Sequence, residues 1–159
     1  MKKLSILILV FIAFNSILIS QNTLLVDAAK SGVISNNSSK EIIHLNKDKF
    51  KKLVFNYDVN DKWEYEGNVP AIIDFYADWC KPCKMVAPTL EELQKEYNGK
   101  IQIYKVNTQF EKELASVFGI SGIPAFLFVP AKGEPSMATG AMPKASFEKY
   151  IKEYLKVDK

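Results

Sequence analysis

Residues 70–77, PAIIDFYA, are an almost unbroken apolar run of strand length, and the two cysteines of the chain, Cys80 and Cys83, follow it within a few residues. A run of this kind is the pattern of a strand covered on both faces, because a half-exposed strand would alternate polar and apolar positions. One charge interrupts it, Asp74. From Cys80 onward Val86, Leu90, Leu93 and Tyr97 recur at steps of four, three and four, the spacing of one face of a long helix, in which Pro88 is expected to introduce a kink. The cysteine pair therefore stands where a buried strand gives way to a helix.

The rest of the chain repeats this alternation. EIIHL (41–45) reads as a short strand, and Phe50, Leu53, Val54 and Tyr57 as the apolar face of a helix. Residues 56–70 are polar and rich in turn formers, a loop onto which Trp63 and Tyr65 are expected to fold back. IQIYKV (101–106) is a strand, Phe110, Leu114, Val117 and Phe118 a second helical face, IPAFLFV (123–129) a strand, and residues 135–140 an edge strand. Phe147, Ile151, Tyr154 and Leu155 mark a C-terminal helix. Strands alternating with helices predict an α/β fold, a central sheet flanked by helices on both faces. Only a turn joins the last two strands, so they must pair antiparallel and the sheet is mixed.

The first 20 residues place two lysines ahead of an apolar stretch, the order of an export signal. The stretch falls short of the roughly 20 apolar residues that span a bilayer, so cleavage is expected rather than permanent anchoring. Ser20 and Ala28 are both candidate cleavage positions, and no cysteine lies nearby for lipid attachment. Residues 21–40 end in a Ser/Asn run and read as a flexible linker, with the folded domain expected over 41–159. At 159 residues the chain has room for one core of ordinary size.

Without residues 1–20 the formal charge falls from +3 to about +1, since Lys2 and Lys3 leave with no acid. The chain contains no arginine. It therefore lacks the side chain that grips phosphate and guanine with two parallel hydrogen bonds, and no nucleic-acid partner is expected.

Four chemistries can use a C-x-x-C pair. Structural zinc needs four ligands, and beyond the two thiols the chain offers a single histidine, His44. Covalent haem needs histidine directly after the second cysteine, where Lys84 stands. As a staple, a four-residue loop contributes roughly 2 kcal/mol against about 4.7 for a 100-residue loop, so the spacing is poor for that purpose. The redox reading has positive support. A sulfur at the head of a helix faces unpaired N–H groups and the positive end of the helix dipole, and Lys81 and Lys84 add cationic charge, all of which favour the thiolate that attacks disulfides. Cys83, one turn inside, can displace a bound partner by closing the internal disulfide. Pro82 is tolerated because the first helical turn has no acceptor for its missing N–H. Asp74, a lone acid in a buried strand, should have its pKa raised by desolvation, which suits it to accept the Cys83 proton. Lys105 on the next strand is its candidate ionic partner. His44 is read as an ordinary strand residue and Tyr76 as packing.

DFYADWCKPCKMVAP (74–88) resembles the active-site segment of thioredoxins, and GIPAF (122–126) resembles their proline loop; the likeness runs from about Ile42 to Leu155. The resemblance implies the thioredoxin fold, with Cys80 as nucleophile, Cys83 as resolving thiol, and Trp79 as a surface ring beside the disulfide. It further implies Pro124 as a cis proline packed against the cysteines, and Ile123 as a main-chain partner for an extended substrate. Trp79, Lys81, Pro82, Ile123 and Pro124 form the expected substrate-binding set. No cofactor is implied beyond the Cys80–Cys83 disulfide. The partners implied are disulfide-containing client proteins and an electron donor.

Lys81 departs from the commonest thioredoxin motif, which has glycine there; its charge should make the protein a slightly stronger oxidant. Only 18 residues separate Lys105 from Pro124, which leaves no space for the helical insertion of periplasmic oxidases. The expected activity is reduction of protein disulfides by an exported, periplasmic monomer. Its donor would be a membrane-spanning thiol carrier, and its membrane contact only through residues 1–20 if these are retained. An oxidase or isomerase of secreted proteins is the alternative enzyme, and a redox-independent adaptor or holdase the alternative of another class.

Overall fold

The computed structural model describes residues 41–159. The export signal and linker expected over 1–20 and 21–40 lie outside the described residues. Five strands and four helices follow one another as β1 (Ile43–His44), α1 (Lys47–Leu53), β2 (Ala71–Tyr76), α2 (Lys81–Tyr97), β3 (Gln102–Asn107), α3 (Lys112–Val117), β4 (Ala125–Val129), β5 (Ser136–Thr139) and α4 (Lys144–Glu153). The strands form one sheet in the order β1-β3-β2-β4-β5. β1, β3 and β2 run parallel, and β4 is antiparallel to both β2 and β5. The fold is α/β with a mixed sheet.

Strand periodicity sorts the core into two layers. Ala71, Ile73 and Phe75 of β2 face the side of α1 and α3, packing with Phe50, Val54 and Leu114. Ile72 and its neighbours Ile103, Phe126 and Phe128 face α2 and α4, meeting Val86, Leu90, Leu93, Tyr97, Phe147 and Ile151. Each large aliphatic side chain so buried stabilises the fold by about 1.5–3 kcal/mol relative to exposure. β2, central and covered on both faces, is the strand that PAIIDFYA predicts.

The four residues spaced along α2 are all buried. The helix runs unbroken through Pro88 and ends at Asn98, whose φ of 39° begins a left-handed turn that Gly99 continues at 83°. α1 is capped by Asn46, whose side chain accepts the Lys49 N–H at 2.9 Å.

Two helical faces differ from the sequence reading. α1 stops at Leu53, so Tyr57 packs from the following loop. α3 starts only at Lys112, and of Phe110, Leu114, Val117 and Phe118 only Leu114 is buried. Phe110 precedes the helix in the turn after β3, and both it and Val117 are exposed. Trp63 and Tyr65 do fold back onto the α1 side of the core, with Trp63 4.8 Å from Phe55 by ring centroids.

Candidate active site

β2 delivers the chain to the head of α2, and the turn between them holds Trp79 and Cys80. Cys80 is the N-cap of α2, with extended backbone angles, and its Sγ accepts the N–H of Cys83 at 3.2 Å. It occupies the place where Ser or Asp side chains satisfy orphan helix donors, but with sulfur as the acceptor. Cys80 and Cys83 form a disulfide with their Cα atoms 5.3 Å apart. Lys81 and Pro82 follow in the first turn, both exposed, with Pro82 where no intrahelical N–H is needed.

Both cysteines are buried, at 3% and 4% exposure, against Ala77, while Trp79 projects into solvent at 71%. Ile123 and Tyr76 pack against the sulfur pair. The Ile123–Pro124 peptide bond is cis, and Pro124 is buried at the entry to β4. Its carbonyl accepts the Gly140 N–H at 2.8 Å. The structure thus brings Ile123 and the two cysteines into one cluster and leaves Trp79, Lys81 and Pro82 as the exposed rim.

Asp74 belongs to a second group on the same sheet face. It is 2% exposed, and burial pushes its carboxyl up to about 6 in spite of the opposing charge of Lys105. The Lys105 ammonium lies 3.5 Å from Oδ2, whereas Oδ1 is buried with no hydrogen-bond partner. An unpartnered buried carboxylate oxygen is costly, so Asp74 stands out among the buried polar groups. In register Asp74 stands opposite Lys105 of β3, which stands opposite His44 of β1. One rung of the sheet therefore carries histidine, lysine and aspartate side by side.

The sequence presents Tyr76 as a packing residue and His44 as an ordinary strand residue, and the structure adds to both. The Lys105 ammonium sits 4.4 Å from the centre of the Tyr76 ring, and the Tyr76 hydroxyl is 3.4 Å from His44 Nδ1. The signal for Tyr76 was present in the sequence, since two residues beyond Asp74 lies on the same face. The signal for His44 was absent, because it depends on which strand β1 joins. Among the described residues no group of three or more His, Cys, Asp or Glu side chains could hold a metal ion.

A disulfide-forming cysteine pair that opens a helix directly after the central strand of this sheet defines a thiol–disulfide oxidoreductase. The chain matches the thioredoxin family over residues 41–153. A thioredoxin of Borreliella burgdorferi is 41% identical over 112 residues, covering 70% of this chain and 96% of its own. One from Haemophilus influenzae is 33% identical over 115 residues, covering 72% and 98%. A chloroplastic thioredoxin z structure, at 20% identity and TM-score 0.59, covers 70% of this chain and 91% of its own. The N21Q mutant thioredoxin from Halobacterium salinarum, at 24% and 0.59, covers 76% and 96%; both share the fold. The protein belongs to the thioredoxin family.

Proposed function

We propose that the protein is an exported reductase of protein disulfides. In the reaction, the Cys80 thiolate attacks one sulfur of a client disulfide and releases the other as a thiolate, leaving Cys80 joined to the client. Asp74, ionised, takes the proton of the Cys83 thiol. The Cys83 sulfur then attacks Cys80, the client leaves with both sulfurs reduced, and the Cys80–Cys83 disulfide remains. Two electrons pass from the dithiol to the client.

The observation that carries this reading is the N-cap position of the Cys80 sulfur, where the Cys83 N–H and the helix dipole stabilise negative charge on reduction. Ile123, against the disulfide and preceding Pro124, supports a site for an extended client strand. Lys81, exposed at the first helical position, favours the oxidase or isomerase reading to the extent that its charge stabilises the reduced pair. Export rests on the basic-then-apolar order of residues 1–20, and it requires a membrane-spanning thiol carrier as donor.

Cys80→Ser should abolish reduction of a disulfide-bonded test protein, and retained activity would overturn the assignment. Cys83→Ser in cells should accumulate mixed disulfides on Cys80. Exported clients among them support the location proposed, and exclusively cytosolic clients refute it.

A further inference from the structure

Lys105 borders two environments, Asp74 on one side and a groove on the other. Its side chain is 14% exposed, and one side of it lines a groove of about 320 Å³ beside β1. Glu41 and Glu91 line that groove too, together with His44, Gln94 and Lys95. A lysine stem is long and rotatable, and an ammonium is strongly hydrated. Water and two carboxylates on the groove side therefore compete with Asp74 for the same cation.

The face of Tyr76, which does not line that groove, lies 4.4 Å from the ammonium nitrogen. Attraction to a ring face is worth about 0.5–2 kcal/mol, increasing as water is excluded. The ring is itself restrained, since its hydroxyl meets His44 Nδ1 at 3.4 Å and the two rings lie edge to face with centroids 6.1 Å apart. Burial and the charge of Lys105 both lower the pKa of His44, which keeps the imidazole neutral near pH 7 and able to accept the hydroxyl proton.

We propose that Tyr76 and His44 are positioning residues for the buried carboxyl: the Tyr76 ring, held by His44, keeps the Lys105 ammonium against Asp74 and out of the groove beside β1. The role deepens the function proposed above by saying what regulates its base. The charged and titratable groups that bear on this assembly are Lys105 from β3, His44 from β1, Asp74 and Tyr76 from β2, and Glu91 and Lys95 from α2. Glu41 ahead of β1, Asp78 after β2 and Lys49 of α1 complete them.

The test is to titrate the Asp74 carboxyl by carbon NMR in the oxidised full-length protein. Tyr76→Leu removes the ring face, so the ammonium turns outward and the Asp74 midpoint should rise by about one pH unit, the lower end of what an adjacent opposite charge contributes. Tyr76→Phe keeps the face and should shift it by less than half as much. With the wild-type midpoint near 6, a one-unit rise cuts the ionised share at pH 6 from about half to about one tenth. Reduction of a client disulfide limited by Cys83 attack should then slow about fivefold at pH 6 and hardly at all at pH 8. A purely structural loss would slow both equally.

An Asp74 midpoint in Tyr76→Leu equal to wild type overturns the proposal, as does an equal shift in Tyr76→Phe. Should Tyr76→Leu fail to fold, His44→Ala, at an exposed position, carries the test: it must raise the midpoint by a smaller amount, and no shift refutes the role. A raised midpoint with an unchanged pH profile of reduction would instead sink the use of Asp74 as base while leaving the positioning intact.

Discussion

Gln94 and Asp74 are both polar, both almost fully buried and both part of the interface between α2 and the sheet, yet their surroundings are opposite. Gln94 donates to the Ile101 carbonyl at 3.3 Å and accepts the Ile103 N–H at 2.6 Å and the Gln102 amide at 3.5 Å. It joins the C-terminal half of α2 to the start of β3 with its polar atoms satisfied. Asp74 has one oxygen with no partner and a single cation 3.5 Å from the other. The first arrangement contributes to stability, and the second gives some of it up.

The largest expected effect tests that contrast at Asp74. Its folded pKa, about 6, lies above its ordinary 3.8, so the native state holds the proton more tightly than the unfolded chain. The contribution of this group to stability is therefore greatest below about pH 4 and is lost as pH rises through 6, with a total loss of about 3 kcal/mol for a shift of about two units. Asp74→Asn should be more stable than wild type by up to that amount at pH 8, and close to it at pH 4, as measured by urea denaturation. A gap independent of pH would show that Asp74 is not the strained group.

Next in size, Gln94→Leu should destabilise the protein by about 2 kcal/mol at every pH, because it strands the Ile103 N–H in the core. An unchanged urea midpoint would show that the network is dispensable. Smallest is Asn46→Ala, which removes a side-chain cap of the same chemistry at an exposed helix end and should cost about 1 kcal/mol. A loss as large as that at Gln94 would erase the distinction between buried and exposed satisfaction.

The sequence carried the middle of the molecule well and its margins less so. β2 and α2 were legible because a doubly covered strand and a 17-residue amphipathic helix repeat their signal many times. Asp74 stood out as the only charge in the buried run, and Lys105 as the cation one strand away. Of the face assigned to Phe110, Leu114, Val117 and Phe118, Leu114 and Phe118 meet the core while Phe110 and Val117 do not, because α3 has six residues, too few for periodicity to reveal which side is inward. His44 was passed over for a different reason. Its meeting with Tyr76 depends on the register of β1 against β3, across some sixty residues of chain, and nothing local encodes it.

The sulfur pair follows directly on β2, the middle strand of the five, which has hydrogen-bonded neighbours on both sides, β3 on one and β4 on the other. Making or breaking the cysteine bond thus happens on an anchored mount, so a turnover needs little rearrangement of the main chain. Each cycle can return the scaffold to its starting shape, ready for another client, without a refolding step between rounds.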